Sequence, residues 1–460
     1  MHLASTQATS AAGVQLILVI DGDEPLATSV RHTLQATDSV SIGRGPTRRC
    51  ERRNEPGVRR LALQVPDRRV STTHALLSRH GAGWLIEDPG SKNGTLVNGQ
   101  RQQQTQLHDG DLIEVGNTFF LFRDAVPALA TQSSDLDAAQ LAAPSPELAT
   151  FVAALADDYA SLAQVARSAI SVLARGDTGS GKEVLARAVH TLSGRTGAFV
   201  AVNCGAIPEN LIEAEMFGYR KGAFSGAAAN HPGLVLSAHG GTLFLDEIGD
   251  LDGASQAALL RVLEEREVMA LGSTQAVKVD VRLVAATHRD LEAMVEKKRF
   301  RRDLLARLKG FTLVLPTLAE RREDLGLLIA ALIRRIVPAR ADQVRFDPLA
   351  MRALLRYAWP DNVRELKQSL EAAIVLAGEG IVELRHLPAS VRKPPPAPAP
   401  EAELDEAEQQ QRNQLVVLLA EHCGNLSTVA RALGKDRVQI RRWVKRYGLD
   451  VEAFKKGKQP

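Results

Sequence analysis

A glycine-rich segment in the middle of the chain has the residue types and spacing of a phosphate-binding loop. It consists of Gly176, Asp177, Thr178, Gly179, Ser180, Gly181, Lys182 and Glu183. An apolar stretch, 170–173, precedes it, and a helical pattern, 183–192, follows. At such a junction the glycines let several backbone N–H groups point at one phosphate, and the helix N-terminus adds positive potential. Lys182 would then reach the β- and γ-phosphates. The alternative, a flexible glycine loop, does not explain why strand, spacing and lysine coincide.

Two acids at the end of a second apolar strand predict the other half of a phosphoryl-transfer site. The apolar segment 242–245 leads directly into Asp246 and Glu247. Ligands of α/β sheets bind at the carboxyl ends of strands, so these acids should meet the glycine-rich loop. Asp246 would hold Mg²⁺, and Glu247 would orient the attacking water. A solvated strand edge is the alternative for two acids alone, but the upstream loop favours the catalytic interpretation.

Length and composition limit the class of protein. The chain has 460 residues, 45% hydrophobic and 24% charged, which is typical of a soluble globular protein of roughly three domains. The net charge of +3 means that any nucleic-acid site must come from local clustering. Three widely spaced cysteines exclude a disulfide scaffold and a cysteine zinc site. The early apolar run 14–20 is too short for a membrane span and lacks a basic flank, so a cytoplasmic protein without membrane contact is expected.

Two compositional linkers, 125–146 and 389–403, divide the chain into three parts. The first part, 14–124, is punctuated by turn dipeptides and predicts an all-β sandwich. The middle part alternates apolar strands with helical stretches and predicts a parallel α/β sheet. The last part, 404–450, predicts an all-α domain. The strands predicted for the sandwich are 16–20, 39–42, 75–78, 84–87, 95–97, 111–115 and 118–122.

The middle part resembles the AAA+ domain of bacterial enhancer-binding proteins, which activate sigma-54 RNA polymerase. The resemblance rests on the two motifs above and on Val202-Asn203-Cys204, Glu215-Met216-Phe217-Gly218, Ala285-Ala286-Thr287, Phe300-Arg301, Arg307-Leu308 and Trp359-Pro360-Asp361-Asn362-Val363-Arg364-Glu365-Leu366. It implies an α/β ATPase subdomain at 147–317 and a helical lid at 318–388. It also implies Mg-ATP as substrate and a homo-oligomer, dimeric at rest and hexameric when active.

The resemblance assigns roles by matching position. The family's trans-acting arginine fingers correspond to Arg301 and Arg307, while Arg299 and Arg302 fit better as surface residues. Nucleotide-sensing positions correspond to Thr287 and Arg364, and the position that restrains the catalytic Glu247 corresponds to Asn203. Glu183 after Lys182 is usual in the family, whereas His288 stands in place of the usual Asn and Asp361 in place of a common Gly.

A short loop carries the family's sigma-54 contact, which usually reads GAFTGA. Here it consists of Gly222, Ala223, Phe224, Ser225, Gly226 and Ala227. The glycines are flexible, and the small residues leave Phe224 as the one bulky side chain, which suits a partner contact. A Phe turned into the core is the alternative for an isolated aromatic. Ser225 keeps the hydroxyl of the usual threonine.

The first part resembles a forkhead-associated (FHA) domain over residues 14–124. The acidic segment after the first strand would also fit a receiver domain, but no βα alternation follows it. The resemblance places a phosphothreonine protein or peptide against Arg44, Ser71, Thr72, Lys92 and Asn93. Arg44 can make a forked, charge-assisted contact with phosphate. His74 is expected to brace the loops, and the arginine-rich stretch 45–70 is expected to be a solvated loop.

The tail resembles a Fis-type helix-turn-helix DNA-binding domain. Residues 425–460 contain ten Lys or Arg and three Asp or Glu. One helix is predicted at 426–433 and a second at 436–447, with Trp443 in the core; the apolar stretch 415–420 is expected to pack against a dimer partner. Arg437, Gln439 and Arg441 would read bases, and Arg442 and Lys445 would contact phosphates.

Together these features predict an ATP-dependent transcriptional regulator. It would bind enhancer DNA, remodel sigma-54 RNA polymerase holoenzyme and be gated by a Ser/Thr kinase pathway through phosphothreonine recognition. Two alternatives remain. One is an FHA-controlled DNA-binding regulator without remodelling activity, against which the complete ATPase motifs argue. The other is a chaperone-like AAA+ remodeller with a DNA tether, which a test of sigma-54 binding would separate.

Overall fold

The structure is a computed structural model that describes residues 12–55, 57–81, 83–127, 133–224 and 227–393, and parts of the tail (415–416, 418–419, 422, 426–433, 439–440 and 443). The chain divides into two compact units, Met1–Lys393 and Pro394–Pro460. Among the helices that the structure describes, none combines the length and apolar composition needed to span a bilayer.

The N-terminal part is a two-sheet β sandwich, as the sequence predicts. Its strands are β1 Ala12–Asp21, β2 Val30–Thr33, β3 Ser39–Arg44, β4 Arg49–Glu55, β5 Val58–Val65, β6 Ala75–His80, β7 Gly83–Glu87, β8 Thr95–Val97, β9 Gln100–Gln102, β10 Gln104–Leu107, β11 Leu112–Val115, β12 Thr118–Pro127 and β13 Asp135–Asp137. One sheet has the order β13-β2-β1-β12-β11-β8-β9, and the other has the order β10-β7-β6-β3-β5-β4. Leu16 and Phe120 of the first sheet share a core with Ile42 and Leu77 of the second.

Two expectations about this part are wrong. The stretch 45–70 is not a solvated loop, because β4 and β5 form a hairpin that extends the second sheet. Alternating burial along β5, with Leu61, Leu63 and Val65 inside, explains why these residues form a strand. The segment 125–146 is not simply a linker, because β12 continues into it and β13 pairs with β2.

The middle part contains the predicted parallel sheet. Its strands are β14 Val172–Arg175, β15 Phe199–Asn203, β16 Thr242–Asp246, β19 Arg282–Thr287 and β20 Phe311–Val314, and a separate hairpin contains β17 Glu267–Met269 and β18 Ala276–Lys278. The sheet order is β15-β16-β19-β14-β20, with the four adjacent pairs parallel. Every residue of β19 is buried, because helices cover both faces of a parallel sheet. The carboxyl ends of these strands therefore lie along one edge.

Helices surround this sheet and form a lid after it. Those of the α/β subdomain are α1 Ala153–Ala166, α2 Lys182–Ser193, α3 Glu209–Phe217, α4 Leu234–Ser237, α5 Gly253–Glu265, α6 Leu291–Glu296 and α7 Arg302–Leu308. Those of the lid are α8 Leu325–Ile336, α9 Pro348–Arg356, α10 Asn362–Ala377 and α11 Ala389–Arg392. The start of α9 is fixed by its N-cap Asp347, which accepts a 2.6 Å hydrogen bond from the backbone N–H of Ala350.

The sandwich and the lid share one hydrophobic core, which the sequence analysis does not anticipate. Side chains alternate along a strand, and β1 and β12 use both faces. Leu18 and Phe120 point into the sandwich, whereas Val19 and Phe119 belong to a cluster that also contains Ile329 of α8. The N-terminal part therefore packs against the lid through fully buried apolar side chains, like those of a domain core.

Asp21, at the end of β1, provides a test of this packed corner. It is 2% exposed, and burial raises its pKa to about 6, with the negative charges of Asp67 and Asp23 acting in the same direction. The folded state thus binds the proton more tightly than the unfolded state. Ionisation of Asp21 therefore destabilises the fold progressively as the pH rises from 3.8, and the effect is complete above about pH 6. We expect Asp21→Asn, which keeps the oxygen that accepts from the Asp23 N–H, to raise the free energy of unfolding by about 1–3 kcal/mol at pH 7.5.

The same measurement at lower pH is the control for this prediction. The gain should shrink as the pH falls from about 6 toward the ordinary carboxyl pKa of 3.8, because the native Asp21 then becomes protonated as well. Denaturant unfolding at pH 7.5 and pH 4.5 measures both values. An equal gain at the two pH values would show that the buried charge is not the cause.

The C-terminal unit contains helix α12, Leu426–Ala432, close to the predicted first helix of the tail. Leu415, Leu419, Val429 and Ile440 are buried together, with Trp443 packed against them. The expected core role of Trp443 agrees with this cluster. In the stretch 415–420, which is expected to pack against a dimer partner, Leu415 and Leu419 are buried within the unit, and the dimer contact stays a prediction.

Candidate nucleotide site and binding loops

The glycine-rich loop joins β14 to α2. Gly181 is the N-cap of α2 and Lys182 is its first residue. The Lys182 side chain is buried and turns back over the loop, where its Nζ donates to the backbone O of Gly176 at 2.8 Å and of Asp177 at 3.2 Å. An ammonium group is thus held beside a ring of backbone groups at a helix N-terminus, the arrangement that binds phosphates.

The backbone of this loop fits a phosphate and excludes side chains. Gly176, Gly179 and Gly181 have φ values of 153°, 76° and 111°, in the region that favours glycine. A Cβ on Gly179 would lie 2.1 Å from the backbone O of Asp361, so the loop approaches the lid closely. The Ser180 hydroxyl is buried and has no hydrogen-bond partner among the described residues. These observations agree with a loop shaped for a bound polyphosphate.

Asp246 and Glu247 lie at the end of β16, beside Lys182, as predicted. Glu247 has a φ of 52°, and its Oε1 is 3.8 Å from the Lys182 Nζ. Burial raises the pKa of Asp246, and the negative charge of Glu247 raises it further. This concentration of negative charge fits a divalent cation, which would neutralise it. The other carboxylate oxygen of Glu247 is hydrogen-bonded to His288 Nδ1 at 2.8 Å, so His288 positions this acid.

Asn203, the residue expected to restrain Glu247, lies beside the acids, and its role stays a prediction. Asn203 pairs with Asp246 across the parallel strands, but its Oδ1 accepts from the backbone N–H of Gly205 at 3.0 Å. In the described residues Glu247 is restrained by His288. Thr287 is fully buried at the end of β19, and its Oγ1 accepts from the Arg289 N–H at 3.0 Å.

The lid holds the glycine-rich loop through two side chains that sequence reasoning did not assign. Asn362 Nδ2 donates to Thr178 O at 3.0 Å, and Arg321 Nη2 donates to Ser180 O at 2.8 Å. Asn362 lies in the segment 359–366 that the sequence analysis quotes, so that motif could have indicated it. Arg321 lies in none of the quoted motifs. Arg364, the predicted nucleotide sensor, is exposed, and its Cβ would lie 3.0 Å from a Cβ on Gly179.

The predicted arginine fingers lie on the surface near α7. Arg301 is its N-cap residue, and its side chain, 46% exposed, pairs with Asp303 at 2.7 Å. Arg307 is in the last turn of α7 and pairs with Glu264 at 3.0 Å. Their described partners are surface carboxylates rather than residues of the glycine-rich loop, so both arginines remain open to solvent.

The aromatic loop is a tight turn that displays its one large side chain. Gly222 donates to Ala227 O at 2.9 Å and closes the turn, and Gly222 has a φ of 84°. Phe224 is 42% exposed, and its ring packs against the Tyr219 ring in a T-shaped arrangement, with centroids 5.0 Å apart. Ser225 and Gly226 lie outside the described residues. The Phe224 side chain is thus packed on one side against Tyr219 and exposed to solvent on the other.

The predicted phosphothreonine residues meet at one end of the sandwich. The backbone N–H of Arg44 donates to Ser71 O at 2.9 Å, and Ser71 Oγ accepts from the Lys92 N–H at 3.1 Å. The Asn93 side chain donates to Arg69 O at 2.6 Å. Thr72 lies close to Gly43 at the end of β3: a Cβ on Gly43 would be 2.0 Å from the carbonyl oxygen of Thr72. The Arg44, Thr72, Lys92 and Asn93 side chains are exposed.

His74 has the bracing role that the sequence predicted. It is fully buried, its Nδ1 accepts from the Ser71 N–H at 3.0 Å, and its Nε2 is 3.2 Å from Gly94 O. It therefore ties the loop that contains Ser71 to the loop that contains Gly94 from inside the domain. In the tail, Gln439 is described and half-buried, whereas Arg437, Arg441, Arg442 and Lys445 lie outside the described residues.

Comparison with known proteins identifies three domains. Residues 149–314 match the family described as the sigma-54 interaction domain, 319–404 match the AAA+ ATPase lid domain and 40–116 match the FHA domain. The regulatory protein AtoC of Escherichia coli is 40% identical over 307 residues, which cover 65% of this chain and 67% of AtoC. The transcriptional regulatory protein ZraR of E. coli is 42% identical over 278 residues, which cover 60% of this chain and 63% of ZraR.

A solved structure is also similar. The crystal structure of NtrX from Brucella abortus in complex with ADP is 32% identical and covers 64% of this chain and 68% of the NtrX chain, with a TM-score of 0.48. About a third of the length of each of these three proteins lies outside the match.

Proposed function

The chain belongs to the family of bacterial transcriptional regulators that carry a sigma-54 interaction domain, and from this membership we propose that it uses ATP to remodel sigma-54 RNA polymerase holoenzyme at promoters. The AAA+ domain is an ATPase. The chain also carries an FHA domain. We further propose a role in this function for each of the residues described above.

ATP binds at the glycine-rich loop, where the buried ammonium of Lys182 faces the β- and γ-phosphates. Asp246 would hold Mg²⁺, which would withdraw charge from the phosphate oxygens. Glu247 accepts a proton from, or orients, the attacking water, and His288 keeps its carboxylate in place through the 2.8 Å hydrogen bond. Arg301 and Arg307 contribute positive charge to the site of the neighbouring subunit, which makes a hexameric ring the active form, assembled from resting dimers.

Phe224 is the observation that carries the sigma-54 assignment. An aromatic side chain that is 42% exposed on a glycine-closed turn is available for a protein contact, and aromatic side chains are enriched among the residues that dominate such contacts. The turn consists of residues 222–227 and is joined to the ATPase subdomain that carries Asp246. A change at the nucleotide can therefore move the turn toward or away from sigma-54.

Binding of sigma-54 to the full chain tests this assignment. We expect sigma-54 to co-elute with the protein in the presence of Mg-ADP and aluminium fluoride, which mimics the transition state, and to elute separately with ADP alone. If sigma-54 fails to bind and Ser225→Thr restores binding, the loop is a drifted sigma-54 contact. If sigma-54 binds neither the wild type nor the Ser225→Thr variant, the chain is an ATP-dependent remodeller of another target.

The FHA loops recognise a phosphothreonine protein or peptide. Arg44 is expected to bond to the phosphate, so Arg44→Ala should weaken binding of phosphothreonine peptides by about 10- to 100-fold, the value of one charge-assisted contact. Fluorescence anisotropy with phosphorylated and unphosphorylated peptides measures this. Arg79→Ala is the matched control, because Arg79 is an exposed arginine of the same domain, on β6. Equal loss in both variants would indicate bulk electrostatics rather than a specific contact.

The tail binds enhancer DNA through a Fis-type helix-turn-helix. Support comes from its ten basic residues and from the cluster of Leu415, Val429 and Ile440, which gives the tail a core of its own. Arg437, Gln439 and Arg441 read base edges, and Arg442 and Lys445 contact the phosphates.

A further inference from the structure

The FHA domain is docked on the lid through a continuous apolar surface. Ile17 and Val19 of β1 and Leu121 of β12 belong to the same buried cluster as Leu325 and Ile329 of α8. These side chains are at most 2% exposed, which is the burial of a domain core. Displacing the FHA domain would expose this surface to water, so the two parts move as one body.

Buried polar contacts fix the orientation of this docking. The Arg352 guanidinium of α9 makes a forked ion pair with Glu114 of β11, with distances of 2.6 and 2.7 Å. Arg322 donates to Gly110 O at 2.8 Å. Glu114 is 3% exposed, so its charge is satisfied only while the lid is in place.

Asn117 is the polar centre of the interface. It is fully buried, and its side-chain amide donates to Phe346 O of the lid at 2.9 Å and to Asp23 Oδ1 at 3.0 Å. The backbone is paired here as well, because Phe346 donates to Gly22 O at 2.8 Å. One side chain thus connects a turn of the FHA domain to the backbone just before α9.

From Asn117 a chain of hydrogen bonds leads to the phosphothreonine loops. The Asn117 backbone N–H donates to one oxygen of the buried Asp67 carboxylate, and the other oxygen accepts from the Arg69 N–H at 2.7 Å. The carbonyl of Arg69 accepts from the Asn93 side chain at 2.6 Å. Asn93 is one of the residues proposed to contact the phosphopeptide.

On the other side, the lid carries the connection to the nucleotide. Phe346 immediately precedes Asp347, the N-cap of α9, and packs in the cluster that contains Trp359. The next helix, α10, begins with Asn362, whose side chain donates to Thr178 O, and Val363 donates to Gly179 O at 3.0 Å. The phosphothreonine loops and the glycine-rich loop are therefore joined through packed elements and hydrogen bonds.

We propose that Asn117 is a positioning residue that couples the phosphothreonine loops to the nucleotide site, through a lid of which the FHA domain is a fixed part. Coupling between two sites is reciprocal: a phosphopeptide that alters nucleotide affinity is matched by a nucleotide that alters the peptide loops to the same extent. The identity of the peptide rests on the proposed function, but the coupling itself has a test that uses no peptide.

Hydrogen–deuterium exchange of the full chain, with and without saturating ADP, measures this coupling. In the wild type, ADP should slow the exchange of the backbone amides at 69–71 and 91–94 by about fivefold or more, the lower end of ordinary allosteric coupling. In Asn117→Ala, with ADP binding verified by calorimetry, the same amides should respond by less than about twofold. Thr37→Val is the matched control, because it removes the hydrogen bond that another buried FHA side chain, Thr37, accepts from Arg52, and should keep the wild-type response.

Each outcome decides between the possibilities. If bound ADP leaves the loops of the wild type unchanged, or if Asn117→Ala responds as the wild type does, the proposal is wrong. If Thr37→Val loses the response too, Asn117 acts only through general stability, which also overturns it. Should Asn117→Ala not fold, Asn117→Ser, too short to reach Phe346 O, takes its place. Failure of phosphothreonine peptides to bind the wild type would refute the proposed FHA ligand and leave the coupling standing.

Discussion

Replacing Lys182 by alanine is expected to reduce ATP turnover by about 100-fold or more. The Lys182 Nζ is the cation held over the glycine-rich loop, 2.8 Å from Gly176 O and 3.8 Å from Glu247 Oε1. A preorganised charge in a water-poor site contributes far more to a transition state than the same charge in solvent, and removal of one such group costs about 10²- to 10³-fold. Phosphate release by the full chain, at saturating Mg-ATP, measures the change.

Lys367→Ala is the matched control for this prediction. Lys367 is an exposed lysine of α10 that pairs only with Glu371 at 3.5 Å among the described contacts, and such surface pairs contribute about 0–1 kcal/mol. Its turnover should stay close to that of the wild type. Turnover by Lys182→Ala within about tenfold of the wild type would mean that the loop does not act on the phosphates in the way proposed.

Replacing Phe224 by alanine is expected to separate ATP hydrolysis from its use. The ring rests against Tyr219 on a turn that is remote in sequence from Lys182 and Asp246, so turnover should remain within about twofold of the wild type. Binding of sigma-54 to the ADP–aluminium fluoride complex should weaken by about 30-fold or more, because a central aromatic contact is worth about 2 kcal/mol or more. Phosphate release measures the turnover. Size-exclusion chromatography and anisotropy with labelled sigma-54 measure the binding.

The control for Phe224 is another exposed apolar side chain. Leu349, at the start of α9, is 50% exposed, and Leu349→Ala should leave sigma-54 binding unchanged. Sigma-54 binding that survives in Phe224→Ala would place the contact elsewhere on the protein. Loss of both hydrolysis and binding would instead mean that the variant is misfolded or that the turn supports the nucleotide site.

The sequence predicts the nucleotide site well because each part of it is local. Gly176 to Lys182 form one turn, and Asp246 follows its own strand directly. Parallel pairing then brings the ends of the strands together without further information, as the register of Arg175 with Thr287 shows. The partners of the acids are non-local, and the sequence does not indicate them: Glu247 bonds to His288, and Asn203 to the backbone of Gly205.

The docking of the sandwich on the lid was not predicted, although the sequence contained a signal. The run 14–20 is apolar almost throughout, whereas a sandwich strand with one wet face alternates apolar and polar residues. Leu16 and Leu18 fill the sandwich, and Ile17 and Val19 fill the lid interface. Periodicity shows that a second face of the strand is buried, but it does not show which residues cover that face. Only the structure identifies Ile329 as one of them.

We propose that ATP hydrolysis by this protein opens promoters bound by sigma-54 RNA polymerase. Permanganate reactivity of unpaired thymines on a sigma-54 promoter, with purified holoenzyme and a high concentration of the full chain, measures opening directly. We expect reactive thymines with the wild type and Mg-ATP, and none with Lys182→Ala, with Phe224→Ala or with a non-hydrolysable ATP analogue. A wild-type protein that hydrolyses ATP while the promoter stays closed, or equal opening without hydrolysis, would contradict it.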